Sequence, residues 1–242
     1  MDLWTFADIL SLKGNKYING GGNIIGALYH IDNMYKSGVR IIILMPRFDY
    51  GEGALNALRL ERADELCRTA RSAYPGLSVC VGSRIRYYSG LTAALQSGRA
   101  RSIGGGRYIL IEFERDASFG FMLEAVKECF DAGYRPLIEN PLYYDEADTD
   151  IIEGMVENGA YTVWDKAVFE GRLHRSAKKH LDTLFAKKLV HFVSDGADGA
   201  AVTDYTAAAS NAAAMYGDDT ARGIFYENYM QLISGGTNII PS

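Results

Sequence analysis

The 242-residue sequence predicts a single α/β domain, residues 1–242, in which strand and helix alternate seven times and close, or nearly close, into a barrel. Three observations carry this. The run Ile41–Met45 is apolar without alternation and ends at Pro46, as expected of a parallel strand covered on both faces. Segments of helical period follow such runs and stop at glycine, at Ser37-Gly38, Pro75-Gly76, Ala132-Gly133 and Asn158-Gly159, each turning the chain back toward the sheet. At 48% hydrophobic and 23% charged, the chain can bury one large core and is short for two. Spacing alone leaves a doubly wound open sheet as the alternative.

In chain order, Ala7–Leu10 reads as a short strand running into the glycine-rich loop Gly14–Asn23. That loop fits neither the dinucleotide nor the Walker spacing, so it is either a phosphate cradle of another kind or a permissive turn. Asn23 can cap a helix whose apolar face is Ile24, Leu28, Ile31 and Tyr35. The strand at Val39 leads to a helix over 54–73 with Leu55, Leu58, Leu66 and Ala70 inward. Leu77–Ile85 is the next strand, followed by a short helix Leu91–Gln96 and the strand Tyr108–Phe113. A helix with Met122, Ala125, Val126, Cys129 and Phe130 inward precedes the strand Pro136–Glu139. Helix 149–157, strand Tyr161–Trp164, helix 176–188 and strand Val190–Val193 complete the pattern.

Composition excludes several partners. The net charge is −5 and no basic stripe interleaved with aromatics appears, which argues against nucleic acid. No run approaches the roughly 18 apolar residues of a spanning helix, and the first residues lack a leader pattern, so a cytoplasmic protein is expected. Cys67, Cys80 and Cys129 are widely spaced in apolar surroundings, as reduced buried thiols are. The basic segment 172–188, with Lys178, Lys179, Lys187 and Lys188, reads as a solvated helix face. His30, His174, His180 and His191 are too scattered to build a metal site.

Parallel α/β folds place chemistry after the carboxyl ends of their strands. Those ends carry Leu10-Ser11-Leu12, Pro46-Arg47-Phe48, Gly82-Ser83-Arg84, Ile111-Glu112-Phe113, Glu139-Asn140-Pro141 with Tyr143-Tyr144, and Ser194-Asp195-Gly196-Ala197. Their order and spacing resemble the polymerase and histidinol phosphatase (PHP) superfamily, in its branch of manganese-dependent bacterial tyrosine phosphatases from capsule and exopolysaccharide loci. There the segments read approximately DIHCH, TPHY, GQEIR, LIEF, HPERY and SDAH. The stretches YILIEF and KKHLDTLFAKKLVHFVSD are similar too. The resemblance implies a distorted (βα)7 barrel of the PHP type, manganese or iron as cofactor, and a tyrosine kinase or phosphotyrosine peptide as partner.

The departures fall on the site. Carried over by position, the family's metal-binding histidines become Leu10, Leu12, Arg47, Asn140 and Ala197, and an acidic ligand becomes Asn19. The bridging glutamate becomes Arg84 and the catalytic arginine becomes Tyr143. Glu112 and Asp195 keep their ligand identity, and Asp198 joins them only by a one-residue shift. A metal cluster needs several anionic or imidazole donors, so no metal cofactor is expected. One reading pairs Arg47 and Arg84 with Glu112 and Asp195 to seal the mouth. Another makes Arg47, Arg84, Asn140, Tyr143 and Asn19 a phosphate pocket. A regulatory homologue without activity is therefore expected; the alternative is a working tyrosine phosphatase with a remodelled site. Cys80 to Arg86 and Cys129 to Arg135 also fit the C-x5-R spacing of cysteine-dependent phosphatases, a competing signal that requires a low-pKa thiolate.

Overall fold

The computed structural model describes residues 5–11, 15–169, 175–195, 204–236 and 239. Leu12, His174, Ala197 and Asp198 lie outside them, as does the side chain of Lys178. Among the described residues the strands are β1 (Phe6–Ser11), β2 (Val39–Met45), β3 (Arg47–Phe48), β4 (Ser78–Val81), β5 (Arg84–Arg86), β6 (Tyr108–Glu112), β7 (Arg135–Glu139), β8 (Tyr161–Asp165) and β9 (Phe192–Ser194). The helices are α1 (Ile24–Lys36), α2 (Gly53–Ala73), α3 (Leu91–Gln96), α4 (Phe119–Asp131), α5 (Thr149–Glu157), α6 (Arg175–Ala186), α7 (Tyr205–Tyr216), α8 (Asp218–Arg222) and α9 (Asn228–Ile233).

All pairings are parallel, in the orders β1-β2-β4 and β3-β5-β6-β7-β8-β9. Two interruptions divide what is one wall. Pro46 has no N–H to donate and separates β2 from β3, yet its carbonyl accepts from Arg84 N at 3.0 Å. Pro46 therefore interrupts the ladder and does not end it as the sequence suggested. Leu77–Ile85, expected as one strand, likewise breaks at Gly82-Ser83. A Cβ on Gly82 would stand 2.8 Å from Met45 Sδ and 3.1 Å from Ile103, so only glycine lets the chain pass there. With β2 continuing into β3 and β4 into β5, nine strands make the seven units of a distorted barrel.

The inner and outer faces of β2 are both buried, as its unbroken apolar run requires. Ile41, Ile43 and Met45 join Ile9, Leu110, Leu137, Val163 and Phe192 in the barrel interior, while Ile42 and Leu44 pack against the helices. The edges β9 and β1 meet through side chains: Ser194 Oγ donates to Asp8 Oδ1 (2.8 Å) and Asp195 N donates to the same oxygen (3.0 Å). Asp8 is 2% exposed. The C-terminal helices brace this seam, with Tyr229 hydroxyl donating to Val193 O and the Phe6 ring stacked on Tyr205 at 5.3 Å.

Several local expectations shift. Asn23 caps α1 through Ile25 N and Gly26 N, but the buried stripe of that helix is Ala27, Ile31 and Met34, with Ile24, Leu28 and Tyr35 at its margin. In α2 the buried residues include Asn56 and Arg59, while Leu55 and Leu58 are half-buried, because the helix serves a polar network at its start. Phe130 faces outward, lying on Gly159 beneath the Arg135 guanidinium, which sits 3.9 Å from the ring centroid. Lys187 ties α6 to Asp150 (3.0 Å) and Glu153 (2.7 Å) of α5, and Lys179 and Lys188 are exposed. The last strand starts at Phe192 and not at Val190, because Thr162 N donates to the His191 ring at 3.2 Å where a ladder carbonyl would otherwise accept.

That imidazole is 2% exposed, and burial pushes its pKa down to about 3 from 6.5. The folded state therefore binds this proton less readily than the unfolded chain. His191 contributes stability that is full above pH 6.5 and is lost as pH falls toward 3, at up to about 1.4 kcal/mol per pH unit. Urea unfolding between pH 7 and 4 should show a loss in the wild type that is smaller in His191→Asn. Equal slopes for the two proteins would remove His191 from the acid response.

Candidate functional site

Strands β5, β6 and β7 lie side by side and bring Arg84, the first residue of β5, together with Glu112 and Glu139, the last residues of β6 and β7. Arg84 Nε donates to Glu112 Oε2 at 2.9 Å and its Nη2 reaches Glu139 Oε2 at 2.5 Å. The three side chains are 18%, 23% and 7% exposed, so the guanidinium bridges two carboxylates in a largely dry mouth. Burial pushes the Glu139 carboxyl up in pKa, and the Arg84 charge opposes that shift. Burial also disfavours the charged Arg84, but Glu139 and Glu112 outweigh it and hold the guanidinium more firmly protonated than usual.

Asp195 has a different cation. Lys166 Nζ lies 3.3 Å from Asp195 Oδ1, and the two side chains are 11% and 12% exposed. Burial first, and then the neighbouring Asp8, push the Asp195 pKa up to about 6, while Lys166 pulls it back. Asp8 is itself raised by burial, against the hydrogen bonds it accepts from Ser194 and from the backbone of Ile9 and Asp195. Each acid in the mouth thus meets a protein cation or a set of N–H and O–H donors.

Arg47 stands in register with Arg84 on the neighbouring strand, yet it joins a separate cluster. Its Nε lies 2.5 Å from Asp49 Oδ1, and Asp49 Oδ2 lies 3.1 Å from Arg59. Arg59 also reaches Glu52 (3.1 Å) and Asn56 (3.3 Å), and its Nε donates to Asn19 Oδ1 (3.0 Å). The expected pairing of Arg47 and Arg84 with Glu112 and Asp195 is therefore corrected in two of its links. Like charges in register repel, and Asp49, held by Asn56 through Asp49 N and O, offers Arg47 a partner within its own turn.

Asn140 takes a left-handed conformation (φ 42°), and its side-chain oxygen accepts from Asp165 N at 2.9 Å, fixing the chain between β7 and β8. Tyr143 is 60% exposed, stands against Tyr144, and lies below Arg115 at 5.8 Å. The structure thus brings Arg84 and Glu112 together, pairs Asp195 with Lys166 at the ends of β8 and β9, and holds Asn19 and Arg47 in the Asp49–Arg59 cluster. Glu139 and Lys166 were not expected as partners. Glu139 is marked by the repeated triplet Leu-Ile-Glu at 110–112 and 137–139, and Lys166 by its place directly after β8.

The cysteine signals do not form a site. Burial pushes the thiols of Cys80 and Cys129 up to about 12. Arg86 pairs with Glu114 at 2.6 Å and Arg135 covers Phe130, so neither arginine serves its cysteine. Nor do the residues present fit a metal cluster: among the described residues no group of three or more His, Cys, Asp or Glu side chains is placed to hold an ion, and a guanidinium occupies the space between Glu112 and Glu139.

Comparison with known proteins places the fold and its lineage. The chain is 26% identical over 183 residues to the tyrosine-protein phosphatase YwqE of Bacillus subtilis (strain 168), covering 74% of this chain and 72% of that protein. A solved structure from work on YwqE of B. subtilis and CpsB of Streptococcus pneumoniae, described as unique metal-dependent tyrosine phosphatases, superposes with a TM-score of 0.79 at 22% identity, covering 96% of this chain and 95% of that one. An uncharacterised protein superposes at 0.56 with 10% identity, over 97% of this chain and 75% of its own. Residues 18–234 match the family described as capsular polysaccharide synthesis, CpsB/CapC, and with a match of that extent the chain belongs to that family.

Proposed function

We propose that this protein is a catalytically silent member of the CpsB/CapC family, acting by binding within a tyrosine-phosphorylation system of capsule or exopolysaccharide synthesis. The observation that carries this is the Arg84 bridge. A positively charged side chain lies between two carboxylates, Glu112 and Glu139, that would otherwise be free to hold a cation. Coulomb repulsion between a guanidinium and a divalent ion at that separation disfavours metal loading, and with no metal to polarise a phosphoryl oxygen or activate water the family chemistry has no agent.

The same contacts favour a seal over a phosphate pocket. Arg84 already has two acids, through Nε and Nη2, and Arg47 holds Asp49 through Nε, so a phosphate at either would compete with an acid already in place. Asn140 and Asn19 are engaged in local hydrogen bonds. The exposed rim residues Leu142 and Tyr143 suit an aromatic partner such as the tyrosine-rich tail of a bacterial kinase. On this reading the protein acts in the cytoplasm as a single domain; among the described residues no helix is long and apolar enough to cross a membrane.

Two measurements test the reading. Elemental analysis of the purified protein should find no stoichiometric manganese, iron or zinc, and aryl phosphate hydrolysis with added manganese should be negligible. A chelator-sensitive rate within about tenfold of YwqE, only about 1.4 kcal/mol of barrier, would establish the working phosphatase instead. Truncating Arg84→Ala leaves two buried carboxylates without their cation. It should lower stability by roughly 3 kcal/mol and leave the response of melting temperature to phosphate unchanged. An unaltered stability with a lost phosphate response would make Arg84 a ligand-binding residue.

A further inference from the structure

We propose that the flank of the barrel carries a second site, an arginine-lined cavity between α2, β4 and the turn at 103–105, that binds a phosphorylated small molecule. The cavity has a volume of about 820 Å³, within the usual size range of small-ligand pockets. It lies along β4 from Ser78 to Val81, whereas Arg84 and its acids do not line it and lie beyond the end of that strand. The proposal is thus independent of what the mouth does.

The cavity follows from the break at Gly82. Strand β4 pairs with β2 alone, and the turn Ile103–Gly105 flanks it in place of a further strand. The Val79 carbonyl accepts from Arg71 Nε at 2.8 Å and also from Arg71 Nη2, so a guanidinium from α2 caps the strand and is anchored at the cavity wall. Asp64, Cys67, Arg68 and Arg71 follow the i, i+3, i+4, i+7 spacing of one helix face, and all four line the cavity. Arg101 enters from the opposite wall and holds Asp64 at 2.6 Å.

Three guanidinium groups therefore converge against one carboxylate. The Cys67 thiol registers this: burial raises its pKa, and Arg71, Arg68 and Arg101 each pull it down. Asp64 is taken by Arg101 and the Arg71 guanidinium by the Val79 carbonyl, which leaves the Arg68 guanidinium with neither an acid nor a carbonyl partner among the described residues. Excess guanidinium with planar, fixed donors suits a multivalent oxyanion, above all phosphate. Leu77, Val81 and Ile233 supply an apolar surface for an organic body attached to it. Arg101 and Asp64 also line a neighbouring cavity of about 730 Å³, so their ion pair stands between the two spaces.

Calorimetric titration of the full chain with inorganic pyrophosphate tests this. The wild type should bind one equivalent, Arg68→Gln should weaken binding at least tenfold, and Arg68→Glu should abolish it. Arg68 is exposed and without a side-chain partner among the described residues, so both variants should fold, which circular dichroism checks. Arg47→Gln, in the mouth, should bind as the wild type does. The proposal is overturned if millimolar pyrophosphate gives no binding heat with the wild type, or if both Arg68 variants retain wild-type affinity. It is equally overturned if Arg47→Gln or Arg84→Ala removes the binding while the Arg68 variants keep it, since the anion would then sit in the mouth.

Discussion

Carboxylates that end neighbouring parallel strands share a partly buried space, and their mutual repulsion must be met by a cation before the strands can lie together. Here Glu112 and Glu139 end β6 and β7, and Asp195 follows β9. Arg84 bridges the first two and Lys166 faces the third. The rest of the mouth follows from that requirement. Asn140 adopts a left-handed turn that fixes Asp165 beside Lys166, and Asp8 accepts three donors at the seam between β1 and β9. A metal ion and an arginine answer the same electrostatic need, and only the metal carries Lewis acidity. Arg84 gives the mouth a cation without that chemistry.

Buried ion pairs of this kind confer specificity more than net stability, because desolvation offsets much of the Coulomb gain. At Asp195 and Glu139 burial is the leading influence and raises the pKa, and the adjacent cation opposes it. Bulk stability comes from elsewhere. The fully buried β2 run, the interior layer of Ile9, Ile43, Leu110 and Val163, and the aromatic contacts of Phe6 with Tyr205 and Phe225 form a continuous apolar interior on both sides of the wall. The scaffold is thus set by this interior, consistent with a TM-score of 0.79 at 22% identity.

The order of strands and helices is legible because the longer strands are apolar runs and several helices stop at a glycine; the helix 149–157 falls where its spacing puts it. What misled was local. Pro46 and Gly82 look like strand ends or strand members, and only the close approach of Met45 and Ile103 shows why the ladder must change partners there. The C-terminal helices carry too little periodicity against their alanine-rich background to be placed in advance. At the site, the charge inversion at Arg84 was readable, but its second partner was not. Glu139 reads as part of a strand end, although it repeats the Leu-Ile-Glu of β6, and Lys166 lies two residues past the expected limit of its strand. Pairing Arg47 with an acid at another strand end overlooks Asp49, two residues away, which offers it a partner within its own turn.

The central claim is that the Arg84 charge acts on Glu139 as the internal substitute for a bound ion, and a double-mutant cycle tests it most directly. Chemical denaturation at pH 7 of the wild type, Arg84→Met, Glu139→Gln and the double variant gives the coupling free energy between the two side chains. The account predicts a coupling of at least about 2 kcal/mol, with the double variant closer to the wild type than Arg84→Met is. Additive single effects, each below about 0.5 kcal/mol, would contradict it and return the mouth to solvent-screened charges.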